Sequence, residues 1–311
     1  LIILNICRII LFIFELFSTI LYVLLLIFLV KMLATKNSQI RKHFFFPFVF
    51  NGVFEIMFII EEYITFRIPT AQLFVDFYSQ FLSSMNLPGK TAAFGICLEI
   101  LIAFFAINTA FNRFSSIYWP FLYTNLWSGS KLIMLTIWPF VLIVPYFFFI
   151  IQFPATYVLD IYNETLSLTY QDENIFMSIW YVLMIIHILC LITISILNFL
   201  LIRKLNQLSK GKVSKSEMIL VKASIVNFVA MVCIASNEIF GVIATQFMWT
   251  NALDVCWSLY TLCETFLVFN APYSLLILSK DIRSRFFIFI KFKKSIIQNA
   301  SLTLSRNKNV I

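Results

Sequence analysis

Charge is scarce in this sequence: only 12% of the 311 residues are Asp, Glu, Lys or Arg, about half the roughly 25% usual in soluble domains. A water-soluble fold cannot cover a hydrophobic content of 61% with so few charges. Glycine and proline are also few, 6 and 8 residues, which excludes collagen-like chains and Pro/Gly-rich disorder. The six cysteines (Cys7, Cys97, Cys190, Cys233, Cys256 and Cys263) form no CxxC pair and no metal-ligand spacing. Most lie inside apolar runs, where a thiol behaves as a small hydrophobe. The two histidines, His43 and His187, lie neither in an HExxH helix nor beside a GxSxG turn, and the chain has no Gly-rich phosphate loop. Enzyme function is therefore not expected, no metal or cofactor is implied, and His187 is expected to bond a neighbouring helix.

What the chain does have is long apolar runs. A helix needs about 20 mostly apolar residues to cross the hydrocarbon core, and seven segments qualify: 9–30, 44–66, 91–112, 132–151, 174–202, 223–245 and 255–279. None alternates as a membrane β-strand would. The expected fold is an all-α membrane protein, a seven-transmembrane helix bundle over residues 1–290, followed by a basic tail, 291–311. The opening run is too closely followed by further spans to read as a cleaved signal peptide.

Orientation follows from the basic residues. The net charge of +8 is not a nucleic-acid signature, because the cations sit in the gaps between runs. Twenty of the 23 Lys and Arg residues fall in alternate gaps and the tail, against Arg8, Arg67 and Lys90 on the other side. The tail and odd-numbered loops are expected to be cytoplasmic and the N-terminus outside. The gap between spans 4 and 5 agrees: it carries Asp160, Glu164, Asp172 and Glu173 without Lys or Arg, and Asn163-Glu164-Thr165 is a glycosylation acceptor usable on the luminal side. Asn299-Ala300-Ser301, in the tail, should stay unmodified.

Carboxylates within the spans are costly, about 2.5–3.5 kcal/mol for an ionised Asp at a span centre. Glu99, Glu238 and Glu264 therefore require partners or protonation. All three count to the outer half of their spans, where they either anchor a small molecule among aromatic walls or act as polar glue between helices. Glu61 and Glu62 are expected at the outer interface, solvated. At the other face, span 3 ends in Asn112-Arg113-Phe114, and Arg113 reads either as a snorkelling anchor or as part of a switch. Span 7 ends in Asn270-Ala271-Pro272-Tyr273, where Pro272 removes a helix hydrogen bond and permits bending.

These features together resemble the rhodopsin-like G-protein-coupled receptors. The stretch Asn112-Arg113-Phe114-Ser115-Ser116-Ile117-Tyr118-Trp119-Pro120-Phe121-Leu122-Tyr123, ending in Trp127, resembles the nematode serpentine chemoreceptors of class gamma. The likeness implies a plasma-membrane receptor that binds an external small molecule and activates a heterotrimeric G protein. It also implies that Arg113 locks and releases the cytoplasmic ends, that Asn270, Pro272 and Tyr273 form a bending element, and that the basic loop 203–222 contacts the G protein or anionic lipid. Two departures stand out. Asn112 replaces the acidic residue usual before the Arg, so the local ion pair is absent. No cysteine lies between Gln152 and Asn174 to pair with Cys97, so the usual outer bridge cannot form. A seven-span ligand-gated channel of the insect chemoreceptor type would have the opposite topology, and a small-solute transporter would show repeated halves with broken helices, which are absent here.

Overall fold

The computed structural model describes residues 2–35, 42–83, 85–160, 165–207 and 215–291. Seven long helices carry the apolar runs. Span 1 is Ile2–Ala34, and span 2 is Lys42–Glu62, continuing through Tyr63–Arg67 to Thr70. Spans 3 to 7 are Pro88–Tyr118, Gly129–Ile150, Glu173–Gln207, Lys215–Gln246 and Thr250–Leu278. Each is long and apolar enough to cross a membrane. Broad faces of large apolar side chains point outward, among them Phe17, Val141, Phe148, Phe199 and Ile277. Such faces would aggregate in water and are at home in hydrocarbon.

Span 3 is the most enclosed helix and packs on spans 2, 4, 5 and 6. Its sequence explains that place: Ala92, Ala93, Ala103, Ala106 and Ala110 are all buried, and small residues let backbones approach where lipid supplies no hydrophobic drive between helices. Pro88 opens the span in its first turn, where its missing N–H costs nothing. Spans 6 and 7 form the most extensive helix pair.

The loop between spans 4 and 5 adds a short hairpin to the all-α bundle. Strands β1 (Ala155–Asp160) and β2 (Thr165–Tyr170) pair antiparallel, Ala155 opposite Tyr170 and Tyr157 opposite Leu168. Alternate residues Ala155, Tyr157, Leu166 and Tyr170 face inward, as the two-residue period of a strand requires. The Tyr157 hydroxyl donates to the Thr65 carbonyl at 2.8 Å, and the Tyr157 ring meets Tyr78 edge-on at 5.1 Å. Burial pushes the Tyr157 and Tyr170 phenols up. Gly89 makes the docking possible, because a Cβ there would lie 2.6 Å from the Phe153 carbonyl. Among the described residues Cys97 is buried and unpaired, and the hairpin itself has no cysteine, so packing and hydrogen bonds hold it. Asn163, the glycosylation candidate, lies outside the described residues, as do Asn299 and the tail beyond Lys291.

At the opposite end, Trp119 breaks span 3, and a short helix, Pro120–Leu126, turns toward span 4. The Trp127 indole donates to Ser115 Oγ at 2.8 Å, and Trp127 is fully buried. After Ser279 the chain is helical again over 280–291, with Ile282 and Phe286 packed on Leu25, Phe28 and Leu29 of span 1.

Candidate functional site

Buried polar groups concentrate in two layers, one beneath the hairpin and one toward Arg113. The hairpin-side layer has two clusters. In the first, His187 Nδ1 lies 2.7 Å from Glu238 Oε1, and the Tyr260 hydroxyl donates to Glu99 Oε1 at 2.5 Å. One donor atom each of Glu99, His187 and Glu238 lies within 4.8 Å of the others. His187 thus bonds a neighbouring helix, as its isolation in an apolar span suggested, and spans 3, 5, 6 and 7 meet here.

The second cluster is built on Arg67. Its guanidinium pairs with Glu15 of span 1, lies 3.3 Å from Glu264 of span 7, and stands over the Tyr63 ring at 4.9 Å. Glu15 also accepts from the Tyr63 and Thr265 hydroxyls. The local cause is a wider turn in span 2. The Ile68 N–H bonds the Tyr63 carbonyl five residues back, a π-type turn of the kind often found at functional sites.

Two expectations are corrected here. Arg67 does not sit in the gap after span 2 but inside the bundle, and Glu61 and Glu62 are not solvated but buried, 6% and 7% exposed. The apolar run ends near Phe66, but the helix continues to Thr70, which places both carboxyls about two turns below its end. Glu62 is within electrostatic reach of Arg67 and Glu264. Glu61 lies against Gly95 of span 3, where no Cβ obstructs it, and neither of its oxygens has a hydrogen-bond partner among the described residues. Glu99, Glu238 and Glu264 are therefore not one triad: the first two share a cluster, and Glu264 belongs to the other. The pairing of Glu15 with Arg67 is not legible in the sequence, because nothing local links positions 52 residues apart.

The second layer surrounds a cavity of about 50 Å³ lined by Asn51, Glu55, Asn112, Arg113, Asn227, Asn270 and Ser274 among others, room for a few waters. Glu55 accepts from Tyr22 and, at 2.7 Å, from Asn51. Arg113 is buried, with Nε and Nη1 unpartnered among the described residues, and lies 5.8 Å over the Phe44 ring. Asn112 donates to the His43 carbonyl at 3.2 Å and accepts from Tyr123 at 3.2 Å, so hydrogen bonds to span 2 and the short helix replace a local ion pair. Asn270 donates to the Leu267 carbonyl at 2.6 Å and reaches Asn227 of span 6 at 3.4 Å. Pro272 lies inside the span 7 helix and Tyr273 pairs with Ser18 of span 1 at 2.8 Å. The cavity thus gathers Asn112, Arg113 and Asn270, while Tyr273 points to the span 1 side.

Seven long apolar helices enclosing two buried polar layers define a multi-pass membrane protein. The pattern of the Srg family chemoreceptors matches residues 9–286, and the chain belongs to that family. It is a nematode seven-transmembrane chemosensory receptor and not an enzyme. No curated protein matches the chain.

Proposed function

We propose that the chain is a plasma-membrane chemoreceptor of class gamma, a G-protein-coupled receptor. Its N-terminus and hairpin lie outside, and 291–311 form a cytoplasmic tail behind the receptor domain, 1–290. The observation that carries this reading is the division of buried polarity into two layers. Beneath the hairpin, among the described residues, six carboxyls (Glu15, Glu61, Glu62, Glu99, Glu238 and Glu264) face one Arg and one His. Toward the side with the larger share of basic residues, Arg113 and Asn270 share a small cavity.

An excess of carboxyl over cation suits an amine or a hydroxylated molecule as the external ligand, with Glu99, Glu238 and Glu264 as polar anchors among Trp180, Trp257 and Tyr260, whose rings pack edge to face. A ligand acts only through its differential affinity for two arrangements of the spans. On this reading, Arg113 exchanges the Phe44 face for contact with a heterotrimeric G protein, and span 7 bends at Asn270, Pro272 and Tyr273.

The test is nucleotide exchange on a panel of purified heterotrimeric G proteins, using membranes that carry the receptor at matched surface levels. The expected result is exchange above that of receptor-free membranes with at least one heterotrimer, lost in Arg113→Ala. Exchange that is identical with and without Arg113 contradicts the proposal.

A further inference from the structure

We propose that Glu99, His187 and Glu238 form a binding site for one divalent transition-metal ion of the zinc class, joining spans 3, 5 and 6. Three observations carry it. One donor atom from each residue lies within 4.8 Å of the other two. Zinc bonds of about 2.0–2.2 Å to nitrogen and oxygen place tetrahedral donors about 3.4 Å apart, so sharing an ion requires the 2.7 Å contact of His187 Nδ1 with Glu238 Oε1 to open to about that spacing. All three side chains are buried, at 4%, 0% and 1% exposure, yet His187 Nε2 and Glu238 Oε2 have no hydrogen-bond partner among the described residues. Unpaired polar atoms at such depth are costly, and an ion held by all three residues would satisfy them.

Charge decides which ligand. Two carboxylates, a neutral imidazole and a divalent cation sum to zero, the one total that an apolar bundle holds without a further counter-ion. Imidazole favours zinc, copper or nickel over magnesium and calcium, which take oxygen donors. Three protein donors leave a fourth position open, the arrangement of a site that keeps water or an external donor on the ion. The Tyr260 hydroxyl, held on Glu99 at 2.5 Å, orients that carboxylate as outer partners of metal ligands do. This site goes beyond the receptor reading and does not depend on G-protein coupling. Its bearing on the ligand is that an external molecule would meet Glu99 and Glu238 through the ion.

The experiment uses the full chain without a histidine tag, purified into nanodiscs, stripped with chelator, loaded with Zn²⁺ and desalted. Elemental analysis is expected to find about one Zn²⁺ per chain, and the thermal midpoint to rise on loading. His187→Ala and Glu238→Gln should each lose the ion and the rise, while Glu61→Ala, outside the three-residue set, keeps both. Glu99→His replaces one donor by another and should retain the ion. Co²⁺ in the unmodified chain gives a second reading free of variants: visible absorption of a tetrahedral nitrogen–oxygen site, displaced by Zn²⁺. A folded wild-type chain that retains no Zn²⁺ and gives no such Co²⁺ band overturns the proposal, and so does Zn²⁺ retained in His187→Ala.

Discussion

Arg67 and Glu264 stand 3.3 Å apart, Nη2 to Oε2, although 197 residues separate them in the chain. With Glu15 on the same guanidinium, the contact ties spans 1, 2 and 7 beneath the hairpin. Removing one partner of a buried pair costs about 3–5 kcal/mol, because the other charge is left without compensation. Arg67→Ala is therefore expected to lower the thermal midpoint sharply, and adding Glu15→Gln and Glu264→Gln should recover most of the loss. Equal midpoints for the single and triple variants would show that the ion pairs do not hold these spans.

Gly95 and Glu61 give a second test. A methyl at Gly95 overlaps the Glu61 carboxylate, and overpacking of this kind costs about 1–3 kcal/mol. Gly95→Ala should destabilise the wild-type chain by that order and have little effect in a Glu61→Ala background, a coupling that a double-mutant cycle measures. Glu61→Ala alone should be neutral or stabilising, because it removes a buried carboxyl without a hydrogen-bond partner among the described residues.

The seven spans were legible because crossing a bilayer is a one-dimensional demand, met or failed within about 20 consecutive residues. Partnership is not one-dimensional. Glu99, Glu238 and Glu264 stood out as costly residues, but their division between two clusters depends on which helix faces which. Arg67 ends an apolar run and so read as a loop cation, whereas the wide turn at Tyr63–Arg67 carries it into the bundle. The hairpin escaped notice because its strands are six residues each, too short for their alternation to stand out in a loop. Asn112 and Arg113 were legible by pattern. That Asn112 bonds the span 2 backbone was not.

Asn112→Asp places a carboxylate next to Arg113 in the chain and removes the amide that donates to the His43 carbonyl, while Tyr123 keeps its acceptor. Ligand-independent G-protein activation is expected to fall in this variant at unchanged surface level. Unchanged or higher basal exchange would show that Arg113 is not held by an adjacent anion.

Glu99→Gln keeps a carbonyl oxygen for the Tyr260 hydroxyl, and polar contacts between membrane helices are typically worth about 0.6 kcal/mol. Its thermal midpoint in chelator should therefore stay close to that of the wild type, while the response to an activating ligand falls at least tenfold in potency. A variant that misfolds would assign Glu99 to structure alone, and one that folds and responds normally would remove it from the ligand site.

The most direct test of the account is topology in intact cells, with a tag at each terminus and glycan removal compared among the wild type, Asn163→Gln and Asn299→Gln. The expected result is an exposed N-terminal tag, a hidden C-terminal tag, and a glycan lost only in Asn163→Gln. A hidden N-terminus would place the basic loops and the Arg113 cavity outside and the hairpin within the cell, and would contradict the receptor reading.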